Sequence, residues 1–439
     1  MEGMFWGLLG PDTVARARRA RTLGLGSAVR FFNEQAVPGI GGVWYAKQLW
    51  NAVLGVALAS KLKADGQSIT NIKCANAIEA LACWLALDGS KWQTDLRLRG
   101  TTKLRGASDL SFKAVSKPGF YVTQPMRMAT VQALPALGLV QNDATRFNQY
   151  ELSEHCLRRF DLGNISNGGH GREVFEYIYH WSQGKRVAHS GRHKAFFYRA
   201  LSPLEPMDEP LRRLFTDVLL CGGEIEPHVN KQRRRNAIQW VEMLRQQSEQ
   251  MPTWDNRPSM LDVEHWQDLK IGAAFFALRD QSLEVLNALE SHLGSLQDSR
   301  SFDLNKSTLP QSVLHAVASL RQLACEYLAL GHREPIALQF SRECNVPTDT
   351  AIVRNLIERD GRVLRLIGSV VLPGPAFDGG SYVSNTEVNA ADEEVEQRHL
   401  QWPSGMSTRM SNLFYLNADL HGDLDNWLSA ALLTNSEEL

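Results

Sequence analysis

The chain is predicted to be mainly α, built from several small domains with short β elements. Three observations predict this. Its 439 residues exceed what one ordinary core holds. Apolar residues recur at helical spacing through most of the sequence, and the few alternating stretches are short. Hydrophobic residues make up 44% and charged residues 22%, enough apolar mass to offset the entropy of ordering the chain.

Residues 1–65 form an N-terminal segment. An apolar start, Met1 to Gly10, precedes Arg16, Arg18, Arg19 and Arg21, the reverse of the charge order in a secretory signal. After Phe31 to Gly42 a helix is predicted over Val43–Lys63, with Trp44, Leu49, Leu54 and Leu58 on one face. Lys47, Gln48, Asn51 and Lys61 interrupt this most apolar stretch, well short of the ~18 uninterrupted residues of a membrane helix. A cytoplasmic location without membrane contact is expected. The six cysteines lie apart with no CxxC pair, and all are read as reduced thiols.

Residues 66–162 are the most readable unit. Ser68 or Thr70 caps a helix reaching about Leu87. A Gly-rich basic stretch follows, Asp95 to Gly106. Thr123 then reads as an N-cap, and Met128, Val131, Leu134 and Leu137 form a helical stripe. The chain turns at Gly138, Phe147 to Leu152 alternates as a strand, and Ser153 starts another helix. Residues 163–250 read as helical and basic, with one helix beginning at the cluster Lys231, Arg233, Arg234 and Arg235. Residues 251–332 are a helical region in which 258–331 read as three helices, punctuated by Asp280-Gln281 and by the polar run Gln297 to Thr308. Residues 333–372 read as helix, turn, helix, strand. Residues 373–439 form an acidic loop whose Leu413 to Leu433 can dock as a helix.

The segment Ala136-Leu137-Gly138-Leu139-Val140, followed by Tyr150-Glu151-Leu152-Ser153-Glu154, resembles the recognition helix and wing of bacterial winged-helix regulators. The resemblance covers about residues 70–160 and departs from the pattern at Pro135, which kinks a helix. Residues 333–372 resemble the same family less closely, with Asn345-Val346-Pro347 as the turn and Thr348 as a cap. The resemblance implies a mainly α fold with small β wings, as tandem winged-helix-like modules joined by helical segments.

Charge divides along the sequence. Residues 1–245 hold 33 Lys+Arg against 21 Asp+Glu, and residues 246–439 hold 14 against 27. Such asymmetry suggests a polyanion-facing half and an acidic half that engages a partner protein or a second copy. Neutralisation of the halves within one chain is the alternative.

The predicted nucleic-acid-binding residues are Arg97, Arg99, Lys103, Arg105, Lys113, Lys117 and Arg127, extended by Lys185, Arg186, Arg192 and Lys194. A hairpin through Gly100-Thr101-Thr102 would gather the first four, since alternation puts Arg97 and Arg99 on one strand face. Phe112, Phe120 and Tyr121 are candidates for stacking on single-stranded bases. Other patterns are less specific. Pro38-Gly39-Ile40-Gly41-Gly42 before a helix is a tight turn or an anion loop. His189 and His193 are four apart, as metal ligands are, without an HExxH glutamate. Asp268-Leu269-Lys270 matches a fragment of a nuclease motif. No GxSxG or Cys/His pattern supports covalent catalysis. No metal or cofactor is expected. These readings favour a non-enzymatic DNA-binding subunit of a larger bacterial-type assembly, such as one of antiviral defence. A protein adaptor and an enzyme with a dispersed site are the alternatives.

Overall fold

The computed structural model describes residues 21, 23–141, 146–162, 170–246, 252–296, 300–332, 334–378 and 402–429. The described chain is mainly helical. Its helices are α1 (Gly26–Ala36), α2 (Ala46–Ala64), α3 (Asn71–Gly89), the single turns α4 (Thr101–Leu104), α5 (Phe112–Val115) and α6 (Ala133–Ala136), then α7 (Glu154–Arg159), α8 (His170–Ser182), α9 (Gly191–Leu201), α10 (Glu209–Cys221) and α11 (His228–Gln246). They continue as α12 (Val263–Ser295), α13 (Gln311–Ala329), α14 (Pro335–Glu343), α15 (Asp349–Asp360) and α16 (Thr408–His421). Three short strands, β1 (Phe302–Asp303), β2 (Leu364–Ile367) and β3 (Val370–Pro373), form one antiparallel sheet in the order β1-β3-β2.

The chain folds into two compact units, each discontinuous in sequence. Unit 1 comprises residues 1–29 and 274–387, and unit 2 residues 30–273 and 388–439. Among the described residues the first holds 10 Lys+Arg and 11 Asp+Glu, and the second 32 and 25. The described part of unit 2 is therefore net basic, by less than residues 1–245 are.

Unit 2 is built around α2, whose residues Ala46 to Ala59 are all buried. A helix apolar on all sides needs neighbours on all sides. It packs closely on α3, and the boundary expected at 65/66 falls between these two helices. Thr70 caps α3, its Oγ1 accepting from the Lys73 amide at 3.3 Å. The polar residues that interrupt α2 are buried and partnered. Lys47 Nζ donates to the carbonyls of Arg199 at 2.8 Å and Ala200 at 2.9 Å, and Asn51 Nδ2 to that of Leu201 at 3.2 Å. They satisfy the carbonyls that the C-terminus of α9 leaves open. From the acidic end of the sequence α16 packs on α11, α10 and α2, as the apolar pattern from Leu413 predicts. Ion pairs Arg97–Asp425 (2.8 Å) and Arg233–Asp268 (2.6 Å) neutralise charge within this unit.

Inside unit 2 the carboxylate of Glu79, fully buried on α3, accepts from the amides of Met126 and Arg127. Burial pushes this carboxyl up to about 7 from its ordinary 4.5. The folded chain therefore keeps the proton where the unfolded chain has lost it. Stability from this group falls as pH rises from about 4.5 to about 7. In urea denaturation, the wild type is expected to lose more stability between those pH values than Glu79→Gln. Parallel profiles would contradict the assignment.

In unit 1, α13 packs on α14 and α15, and β2 and β3 form a hairpin after α15. Thr348 caps α15, its Oγ1 accepting from Ala351 N at 3.3 Å. Arg321 on α13 donates to the Val346 carbonyl and pairs with Asp349, fixing the turn between α14 and α15. Arg21 lies buried with Glu290 at 2.9 Å and Asp360 at 3.4 Å.

Several expectations are corrected. The helix expected around Met128 to Leu137 is a 3-10 turn, Met126–Thr130, followed by the single turn α6. Pro125, not Thr123, precedes it. Phe147–Gln149 is also a 3-10 turn, and the expected wing reduces to one bridge between Val140 and Leu152. The reason is local. Asn71 Nδ2 donates to the carbonyls of Phe147 (2.9 Å) and Tyr150 (2.7 Å), taking the places of a partner strand. The hairpin expected at Gly100-Thr101-Thr102 is the helical turn α4, entered through Gly100 at φ +78°. Asp280-Gln281 does not break the chain, since α12 runs through it for 33 residues. Residues 333–372 follow the expected order, although the final strand is the β2–β3 hairpin.

Candidate nucleic-acid interface

Helix α8 buries Val174, Ile178 and Trp181, a stripe at helical spacing, and α9 buries Phe197, Ala200 and Leu201. Anchoring these apolar sides leaves the basic residues of the connecting segment outside. Lys185 and Arg192 are exposed, and Arg186 and Lys194 are half-buried. Gly191 makes the turn into α9 at φ +56°, a conformation that favours glycine.

Aromatic rings organise this face. The guanidinium of Arg186 lies 3.6 Å from the centroid of Tyr177, and Phe196 stacks on the same ring at 3.9 Å. Two groups that close to one centroid must occupy opposite faces, so Tyr177 is sandwiched. A planar ligand would stack on the outside of this sandwich, not on Tyr177 itself. Beside it, Trp84 of α3 meets the His189 ring at 6.3 Å and the Lys194 ammonium at 5.7 Å, and Lys194 also pairs with Asp88.

The structure brings residues 109–117, which follow the Gly-rich basic stretch, to this region. Trp181 Nε1 donates to the Leu110 carbonyl at 3.0 Å and meets Phe112 edge-on at 5.3 Å, joining α8 to α5. Asp109 is held below the usual carboxylate range first by the Ser111 amide, then by Ser111's hydroxyl, with smaller contributions from Lys117 and His189. Lys117 and His189 therefore both lie near Asp109. Arg105 lies over Trp92 at 5.7 Å and is exposed, as are Lys113 and Lys117.

The remaining predicted residues are placed differently. Arg97 is 7% exposed and bonded to Asp95 and Asp425, so its charge does not face solvent. Arg99 is half-buried. Lys103 donates to the carbonyls of Gly119 (3.3 Å) and Tyr121 (2.9 Å). Arg127 bonds Asn76 at 2.6 Å and covers Phe147. Phe112 and Tyr121, candidates for base stacking, are core residues, while Phe120 is half-buried. Tyr177, Trp84 and Trp92 were not singled out from the sequence. The aromatic run Phe175 to Trp181 was the signal for the first of them.

The less specific patterns are resolved as structure. Residues 36–50 are buried, and the turn at Pro38–Gly42 spends its amides internally: Gly39 N donates to Glu34 at 2.8 Å and Gly42 N to Ala129 O at 3.1 Å. It presents no anion loop. His189 packs on Trp84 and His193 on Tyr177, so the two rings do not converge on a metal. Asp268 is the partner of buried Arg233. Four cysteines, Cys74, Cys83, Cys156 and Cys344, are buried, and Cys221 and Cys325 are exposed, all as free thiols. Among the described residues, no helix is long and apolar enough to cross a membrane. No protein-family model matches the chain, and neither a curated protein nor a solved structure is detectably similar to it.

Proposed function

We propose that this chain is a non-enzymatic nucleic-acid-binding subunit, with DNA as its partner, that grips phosphates through the α8–α9 face of unit 2. The observations that carry this reading are the exposed cations Lys185 and Arg192 on the segment joining α8 to α9, which also carries Arg186 of the Arg186–Tyr177–Phe196 sandwich, and exposed Lys113 on α5, which packs on α8. Cations alone position a backbone, while rings and guanidinium planes accept unstacked bases. The described part of unit 2 is net basic, so its field adds to the local attraction at this face.

Unit 1 supports a different role. Its helices α13 to α15, the hairpin and the strand order β1-β3-β2 resemble a winged helix. Its basic side chains on α15 are engaged: Arg354 donates to Gly368 O at 2.9 Å and Arg359 pairs with Glu343 at 2.6 Å. Asp349 and Glu358 on the same helix oppose phosphate. Ile367, 59% exposed at the hairpin tip, favours a protein partner.

The test is the fourfold variant Lys113→Ala, Lys117→Ala, Lys185→Ala, Arg192→Ala. Each lost phosphate contact lowers the slope of log affinity against log salt by roughly one unit. Binding should weaken about equally across DNA sequences, while each exposed substitution changes stability by no more than about 0.5 kcal/mol. Binding isotherms at two salt concentrations check this. Unchanged affinity would remove the face from the mechanism.

A further inference from the structure

A second basic concavity lies elsewhere in unit 2. A cleft of about 760 Å³ opens between α7, the end of α10 and the start of α11. Its floor is nearly free of side chains. Gly138 and Gly223 approach so closely that a Cβ on Gly138 would stand 2.7 Å from the Gly223 Cα. Gly222, at φ +62°, lies directly over the buried Arg234–Glu226 pair, where a Cβ would meet the Glu226 carboxylate at 1.9 Å. Side chains are excluded from the floor, and the space above it stays open.

The walls carry basic side chains. Arg158 and Arg159 come from α7, with the His155 imidazole beside them, and Lys231 from the first turn of α11, against Glu154 and Glu224, both exposed. Arg159 is half-buried, and its Nη1 is buried with no hydrogen-bond partner. A desolvated guanidinium N–H without an acceptor is unfavourable, and an anionic oxygen in the cleft would satisfy it. Lys231 adds a donor at the N-terminal end of a 19-residue helix, the end that favours negative charge. Val140 and Ile225, the latter 69% exposed, supply apolar walls. The volume lies within the ~300–1,000 Å³ of small-molecule sites.

We propose that this cleft binds the phosphate of a nucleotide-sized phosphomonoester, with Arg159 and Lys231 as principal donors and Arg158 and His155 at the mouth. Two sources carry that group: a free nucleoside monophosphate, or the phosphorylated end of a nucleic-acid strand. The site is separate from the α8–α9 face and does not depend on it.

The cleft contains its own reporter. Cys221 lines it with an exposed free thiol, and Cys325, the other exposed cysteine, lies in unit 1. The full chain is alkylated with N-ethylmaleimide in the presence of a nucleoside monophosphate, the parent nucleoside, or an oligonucleotide with and without a terminal phosphate. Mass spectrometry reads each cysteine. At a ligand concentration about ten times Kd, occupancy should slow alkylation of Cys221 about tenfold and leave Cys325 unchanged. Protection by the monophosphate assigns the free nucleotide, and protection only by the phosphorylated oligonucleotide assigns a strand end. Arg159→Gln and Lys231→Gln should each raise Kd about tenfold, the size of one charge-assisted contact, so that protection at the same ligand concentration falls to about twofold. The fourfold α8–α9 variant should leave it intact, so the two proposals fail separately. Equal protection by ligands with and without the phosphate, or none by any probe, would overturn the proposal. The wild-type result decides alone should either variant fail to fold.

Discussion

Gly55→Ala is expected to destabilise unit 2, although helix propensity argues the opposite. Gly55 sits inside α2, where alanine is worth about 0.5–1 kcal/mol more than glycine. The added methyl, however, would stand 2.6 Å from both the Cα and the Cβ of Ala75 on α3. The atom it meets is backbone and cannot swing aside, so the helices must separate. They are the most extensively packed pair among the described elements, and α2 is enclosed on all sides. Overpacking of this kind costs about 1–3 kcal/mol, occasionally more, and outweighs the propensity gain. Gly55→Leu should exceed 3 kcal/mol by the same physics, roughly the limit at which small shifts can no longer absorb the strain. Ten of the eleven tryptophans belong to unit 2, so tryptophan fluorescence during urea denaturation follows this unit. Ala75→Gly should rescue Gly55→Ala only in part, because the Ala75 Cα remains in place. A Gly55→Ala protein as stable as the wild type would refute the close approach of α2 and α3.

The second large effect is expected at Arg234. This side chain is fully buried on α11 and donates to Leu219 O at 2.7 Å, Pro38 O at 3.1 Å and both oxygens of Glu226. It therefore ties the Pro38–Gly42 turn to α10 and neutralises a carboxylate that is itself 4% exposed. Arg234→Met leaves that carboxylate and two carbonyls without donors, and breaking a buried pair from one side costs about 3–5 kcal/mol. Replacing both partners removes the stranded charge, so Arg234→Met with Glu226→Leu should recover part of the loss, the two carbonyls still lacking donors. The measurement is again urea denaturation followed by fluorescence. A single variant within about 1 kcal/mol of the wild type would mean that the pair contributes no more than an exposed one does.

Much of the local structure was legible in the sequence because short-range chemistry decides it. Thr70, Ser153 and Thr348 each accept a backbone amide as N-caps, which a hydroxyl before an apolar periodic run announces. The α14–turn–α15 order followed from Asn345-Val346-Pro347 for similar reasons. What the sequence concealed was settled by distant partners. Phe147 to Leu152 alternates like a strand, yet Asn71 takes its carbonyls and Tyr150 Oη donates to Val131 O at 2.7 Å. Arg97 looked like a phosphate ligand, and its neighbour Asp95 hinted otherwise, but Asp425 lies more than 300 residues away. The charge halves do not coincide with the folded units. Helix α16 belongs to the acidic half of the sequence and to the same unit as most of the basic half. Of the candidate site, the cations at 113, 117, 185 and 192 were legible as charge runs. The Tyr177 sandwich was not, because the aromatic run Phe175 to Trp181 does not tell which ring meets α9.

The central claim is that nucleic acid lies along the α8–α9 face, and photo-crosslinking tests it most directly. A single-stranded oligonucleotide carrying halogenated pyrimidines is bound to the full chain at low salt, irradiated and mapped by mass spectrometry. The account predicts crosslinks within residues 173–199, centred on Arg186 and Phe196 at the outside of the sandwich, that disappear as salt is raised. Crosslinks confined to other segments, or no binding at low salt by the full chain, would contradict it.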